Sequence, residues 1–420
     1  MVGWHRVRPG SLAVAESGQN ASPPRLSPLL SGPQSIHGAV AGAGPDAAVA
    51  AHYGQPAAEQ RALDQGRAIV DLSHRAVLSV SGPDRLSWLD ILSSQRLADV
   101  PAGTSTQTLF LDVQGRIEFD VQVLEDGSAT WLITEGERGP ALVEWLVSMR
   151  FAHQVTLRNH SGTVAVVGAT APVPGWEDRT VWIDSWPHIS DGGYPYSVDP
   201  DPAAHPAADW TWREYLVTLT DLQQTAARLG TEELSEWRIA GTLASEALRI
   251  AAVRPRQGRE MDGRTIPHEL DLLRTAVHLT KGCYRGQETV ARVHNLGRPP
   301  RRLVLLHLDG SGHTLPEPGS ELILRPDGQP EATELEKARS VGRLTSVALH
   351  HEMGPIGLGV LKRNVDPAAQ LVVRDAGPEQ TDPSSEPRRP EYTAAGQETV
   401  VSPDSGQAVG RPTGFLRGPR

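Results

Sequence analysis

The sequence predicts an α+β chain that finishes in a small β-barrel, and two observations carry that prediction. Between residues 53 and about 298, short runs with the two-residue alternation of strands are interleaved with stretches whose apolar residues recur at helical spacing. After Pro299-Pro300 the helical spacing fades and short, glycine-punctuated strands take over. With 420 residues and a hydrophobic fraction of 39%, the chain can bury real cores in two or three domains.

Residues 1–52 are rich in Ala, Gly, Ser and Pro without hydrophobic period, so they read as a disordered low-complexity tail. Order is expected from Tyr53. Ala57 to Gly66 reads as a helix, and Ala68 to Leu72 and Ala76 to Val80 as strands. Leu86, Leu89, Ile91 and Leu92 fall at helical spacing. Thr108 to Asp112 and Ile117 to Val123 alternate around Gln114-Gly115, Trp131 to Ile133 adds a strand, and Pro140 opens an amphipathic helix running to Met149. A second unit follows, with strands at Val164 to Gly168, Val181 to Asp184 and Trp212 to Val217. Its helices run from Thr220 or Asp221 to Leu229 and from Leu243 to Ile250.

The region 299–405 reads as the barrel, with strands at Arg301 to Leu308, Leu322 to Leu324, Ala338 to Val347, Ile356 to Leu361 and Leu371 to Val373. Residues 375–395 look loose, Glu398 to Val401 is a last strand, and 406–420 is a tail.

Formal net charge is −10, which argues against a nucleic-acid or anionic-membrane binder by bulk charge. The segment 249–302 is basic, with twelve Lys or Arg against five Asp or Glu, although the whole chain is acidic. The single cysteine excludes an internal disulfide and any metal or iron–sulfur site built from two thiolates of this chain, and it suits a reducing compartment. No apolar run approaches the roughly 18 to 20 residues that span a bilayer, and the N-terminus lacks the apolar core of a signal peptide, so the expected location is the cytoplasm.

That cysteine sits in Lys281-Gly282-Cys283-Tyr284-Arg285-Gly286-Gln287-Glu288. The glycines allow the backbone to turn tightly around the thiol, and Gly286 to Thr289 reads as the start of a helix that Gly297 ends. Lys281, Arg285 and a helix N-terminus nearby are surroundings that favour a thiolate. Buried inert cysteines more often sit among aliphatic residues. Cys283 is therefore read as a reactive centre: a nucleophile, one ligand of a shared cluster, or a redox-sensitive site.

The octet, together with Arg249, Thr265-Ile266-Pro267-His268-Glu269, Ser81-Gly82-Pro83-Asp84-Arg85-Leu86 and Val341-Gly342-Arg343-Leu344-Thr345-Ser346, resembles the YgfZ family. These are folate-binding proteins of iron–sulfur cluster assembly or repair, related to the aminomethyltransferase (T-protein) of glycine cleavage. The resemblance covers roughly residues 53–373. It implies three subdomains in a ring around a channel for tetrahydrofolate, two of them interleaved within 53–298. Lys281, Tyr284, Gln287, Glu288, Arg249 and Arg292 would bind or support the cofactor, with Cys283 and Asp120 as the chemically active pair. Two departures stand out. Where the T-protein has paired aspartates this chain has Phe119-Asp120, and where relatives carry an acidic residue near Arg249 it has Ala251.

A folate tail is an anion for which the 249–302 arginines are candidate partners. Asp120 is a candidate base on a strand. His350-His351-Glu352 lacks a third ligand and reads as no metal site, and the tryptophans at 176, 182, 186, 210 and 212 read as packing. The function expected is a folate-binding accessory protein whose partners are iron–sulfur clients or assembly factors. A folate-dependent aminomethyl or one-carbon transferase and a tRNA-binding factor are the alternatives.

Overall fold

The computed structural model describes residues 26–406, apart from 34, 200, 232–233, 313, 327, 329–330 and 378–388. The tails read at 1–25 and 407–420 lie outside the described residues. The chain opens with β1 (Val40–Ala41), β2 (Ala50–His52), α1 (Pro56–Asp64), β3 (Ala68–Asp71), β4 (Ala76–Ser81) and α2 (Arg85–Leu92). Then come β5 (Thr104–Leu111), β6 (Ile117–Glu125), β7 (Ala129–Thr134), α3 (Gly139–Ser148), β8 (Thr156–Asn159), β9 (Val164–Ala169) and β10 (Thr180–Ile183). They are followed by β11 (Arg213–Thr218), α4 (Leu219–Arg228), β12 (Arg238–Ala240), α5 (Thr242–Ala251) and α6 (Gln287–Leu296). The last part holds β13 (Arg301–Leu308), β14 (Glu321–Leu324), α7 (Ala332–Lys337), β15 (Ser340–His350), β16 (Gly354–Lys362), β17 (Leu371–Asp375) and β18 (Glu391–Thr399).

Two five-stranded sheets and a closed barrel result. One sheet runs β5-β6-β7-β4-β8, the other β10-β11-β9-β3-β12, and the barrel closes in the order β13-β16-β15-β14-β17-β18. Consecutive strands β3 and β4 join different sheets, so the first two subdomains interleave. Alternation along β6 decides what faces the middle. Ile117, Phe119, Val121 and Val123 are buried, the last three in a core with Trp88, Leu89, Leu142 and Leu146 of α2 and α3. Asp120 and Gln122 therefore point from the opposite face, toward the second sheet and α5.

Two expectations need correction. Residues 26–52 are packed rather than tail-like. Leu29 and Val49 are buried, the Ser27 hydroxyl donates to Asp71, and β1 pairs with β2. Composition misleads here because the segment's few anchors are fixed by distant residues. In addition, the last strand spans Glu391–Thr399 rather than 398–401, pairing with both β13 and β17 to close the barrel. Its polar, alanine-rich sequence lacks the apolar alternation of its neighbours.

Candidate functional site

The cysteine octet is a loop held down at almost every polar position except its thiol. Gly286 sits at φ +83°, and a Cβ there would lie 2.5 Å from Asp112 O, so only glycine permits the loop to rest on the β5–β6 hairpin. Lys281 Nζ donates to Asp90 O at 2.5 Å, Ser93 O at 2.9 Å and Gln95 O at 2.7 Å, just where α2 ends. It lies 3.2 Å from the Asp90 carboxylate and 5.5 Å from the centre of the Tyr284 ring. Burial lowers the Lys281 pKa, partly offset by Asp90. Tyr284 is buried, which pushes its phenol upward. Gln287 Nε2 donates to Lys281 O at 3.3 Å, and Arg285 pairs with Glu118 at 2.9 Å. Glu288 and Arg292 form an exposed i,i+4 pair on α6 at 2.7 Å. Cys283 is exposed to solvent.

The centre of the ring lies elsewhere, between β6, β11 and α5. Two small cavities of about 60 Å³ and about 40 Å³ share Arg75, Gln122, Arg254 and Arg256 as walls. Asp120 borders the smaller and Arg249 the larger, whereas Lys281, Cys283, Tyr284, Gln287, Glu288 and Arg292 line neither. Of the residues singled out in the sequence, then, Asp120 and Arg249 meet at the centre and the other six form a separate patch. Lys281 in particular has no N–H left to offer a ligand.

A lattice of ion pairs fills the centre. Arg256 Nη2 donates to Asp46 at 2.7 Å and to Glu135 at 2.8 Å, while its Nη1 reaches Glu246 at 3.1 Å. Arg249 pairs with Glu246 at 2.7 Å and Glu260 at 3.0 Å, and Arg254 Nε donates to Asp184 at 2.9 Å. Arg75 reaches Glu214 at 3.1 Å. Burial works against Asp46, Glu135 and Glu246, but the guanidinium groups prevail. Arg256 and His74 hold Asp46 far below its usual range, and Arg256 and Arg75 bring Glu135 down to about 2. For Asp120 burial wins over Arg254 and the Gln107 amide, and its pKa is pushed up to about 6. Gln107 Nε2 donates to its Oδ1 at 2.5 Å.

Sequence reading missed most of this lattice. Asp46, Glu135, Asp184, Glu214 and Glu246 are scattered over 200 residues and carry no local signature; strand alternation around β11 is the one signal that could have turned Glu214 inward. Nor did the reading foresee that Trp210 and Trp212 border the larger cavity, stacked 5.6 Å apart at 17°. Beside them, Glu214 Oε2, Arg254 Nη1 and Arg75 Nε are buried without a hydrogen-bond partner. No group of three or more His, Cys, Asp or Glu that could hold a metal ion occurs among the described residues.

The family model described as the GCVT N-terminal domain matches residues 35–172. An iron–sulfur cluster assembly factor IBA57 homolog of Mycosarcoma maydis, mitochondrial by its description, is 24% identical over 328 residues, 71% of this chain and 75% of that protein. The tRNA-modifying protein YgfZ of Klebsiella pneumoniae is 26% identical over 266 residues, 61% of this chain and 76% of its own length. The glycine cleavage system aminomethyltransferase T of Bartonella henselae superposes with a TM-score of 0.63 at 16% identity, over 87% of this chain and 93% of that one, which establishes the shared fold. With relatives of both kinds aligned across most of its length, the chain is similar to YgfZ and IBA57 proteins and shares the fold of the glycine cleavage T-protein.

Proposed function

We propose that this protein is an accessory factor for iron–sulfur cluster assembly or repair in the cytoplasm, with Cys283 as its reactive group and a folate site at the ring centre. The observation that carries the reading is the octet itself: Lys281, Arg285 and Gln287 are engaged in holding the loop, Tyr284 is buried, and Cys283 is exposed to solvent. A surface thiol meets macromolecules more readily than it meets a ligand buried in the ring. The assembly-factor relative supports the same role.

The donor set at the ring centre suits a pterin. Stacked Trp210 and Trp212 offer a π-face, Glu214 Oε2 an acceptor, and Arg254 Nη1 a donor. The present space of about 60 Å³ does not hold the ring, since sites for molecules of drug size run to about 300–1,000 Å³. Folate entry therefore requires the lattice around Arg254 and Trp210 to part.

The transferase alternative rests on Asp120, whose raised pKa suits a base. The missing partner carboxylate at Phe119 is no argument against it, because Phe119 is buried on the opposite face of β6, packed against Trp145.

The experiment is complementation of a deletion strain with Cys283→Ala. The variant is expected to melt at the wild-type temperature while failing to restore the activity of iron–sulfur enzymes. Full complementation would sink the assignment of Cys283. Aminomethyl transfer from a lipoyl carrier protein to tetrahydrofolate by the wild type, lost in Asp120→Asn, would replace the accessory role with a transferase.

A further inference from the structure

One surface groove shares no lining residue with the two ring cavities and does not include Cys283. It has a volume of about 750 Å³ and runs between the loop at residues 258–262 and strands β15 and β16 of the barrel. Met261, Val341, Leu344 and Val360 contribute apolar surface to it, and Pro318-Gly319 borders it. Arg259, Arg301, Arg343 and Lys362 supply cations, and Glu260 and Asp262 supply acids.

The charges of this groove do not cancel. Asp262 is taken by Arg301, at 2.7 Å and 3.1 Å, and Arg301 also bonds Glu269. Glu260 faces inward, accepting from Arg249, from the Arg256 backbone N–H, and from the hydroxyls of Thr345 and Ser346. That leaves three cations. Arg343 is exposed and has no acidic partner among the described residues; Glu321, opposite it on β14, pairs with Arg374 instead. Lys362 donates to Ser340 O at 2.8 Å and has no carboxylate partner there either. Arg259 comes only within 3.8 Å of Asp46, and its Nε is buried without a partner.

Arg343 and Lys362, without a carboxylate partner among the described residues, and Arg259 beside them, sharing Asp46 with Arg256, lie around an apolar floor. They are complementary to an anion of two or more charges carried on an apolar body. Bidentate guanidinium groups suit phosphate oxygens, the ammonium adds a point charge, and the volume falls in the range of small-ligand sites, about 300–1,000 Å³. We propose that this groove binds a nucleoside phosphate, with the base on the Val341–Val360 floor and the phosphates among Arg259, Arg343 and Lys362. The inference is independent of the role assigned to Cys283 and of folate at the ring centre.

The test is a titration of the full chain at low ionic strength with ADP, inorganic pyrophosphate and adenosine, repeated on an Arg343→Ala, Lys362→Ala double variant. Both side chains are exposed, and a thermal melt checks that the fold is retained. The expected result is saturable ADP binding with a dissociation constant below about 1 mM. ADP should bind more tightly than pyrophosphate or adenosine, and the double variant should weaken it roughly tenfold or more. Cys283→Ala should bind ADP like the wild type. No ADP binding, pyrophosphate binding as tight as ADP, or wild-type affinity in the double variant would each overturn the proposal.

Discussion

Lys281 caps the end of α2 with all three of its N–H bonds, and that fixes what its loss would do. Lys281→Met would leave three main-chain carbonyls without their donor, and we expect a loss of about 2–4 kcal/mol in urea denaturation. A variant as stable as the wild type would show that the clamp contributes nothing. Asp120 makes a prediction of opposite character. Its carboxyl ionises near 3.8 in an unfolded chain and near 6 in the fold, so the folded state holds an extra proton between those values. Stability from this group is full below about pH 4 and declines as pH rises to 6. Asp120→Asn should remove that decline and be the more stable protein at pH 7, as read from denaturation midpoints at pH 4, 5, 6 and 7. Glu135 works the other way, its contribution present above its ordinary 4.5 and lost as pH falls toward 2. The octet stood out in the sequence because one thiol between two glycines is unusual. The aim of Lys281 was not, since its carbonyl partners lie 186 to 191 residues earlier in the chain.

Among the elements, the segment carrying β1 and β2 does most to organise the ring while looking least like structure in the sequence. It brings Asp46 to Arg256 and lays β2 across the start of α5. At that crossing a Cβ on Gly241 would lie 2.1 Å from Ala51 O, and the Gly241 N–H donates to the buried Glu59 carboxylate at 3.0 Å. Gly241→Ala should therefore cost about 1–3 kcal/mol, seen as a lowered melting temperature. An unchanged melt would mean that the crossing yields freely. Helices and strands with a clear period were legible from α1 to β17. β1, β2, β8, β12, the helix α7 and the first half of β18 were not, because short, polar or alanine-rich elements are specified by the partners they pack with rather than by their own pattern.

At the scale of the whole molecule, the basic stretch from 249 to 302 turns out to be largely consumed inside the protein. Arg249, Arg254, Arg256, Arg274 and Arg301 all meet carboxylates, several from residues far away in sequence. A count along the chain cannot see acids that arrive from elsewhere, so the cluster that suggested a folate tail or an RNA surface is mostly internal cement. The closed centre makes its own prediction. If tetrahydrofolate enters beside Trp210 and Trp212, its binding should change tryptophan fluorescence saturably, and Glu214→Gln should weaken it roughly tenfold. Binding without any change in fluorescence would place the ligand elsewhere. The three-part fold itself was legible only through resemblance, because periodicity names elements but not how β3 and β4 part company into two sheets.

The exposure of Cys283 has a consequence for the life of the protein in an oxidising moment. A sulfenic acid formed on it has no second thiol in the same chain to condense with, so no internal disulfide can clear it. Its release needs a thiol from another molecule, and a mixed disulfide with a client would persist until one arrived. Damage and capture at this atom are thus both second-order events, paced by the reductants and proteins around the chain.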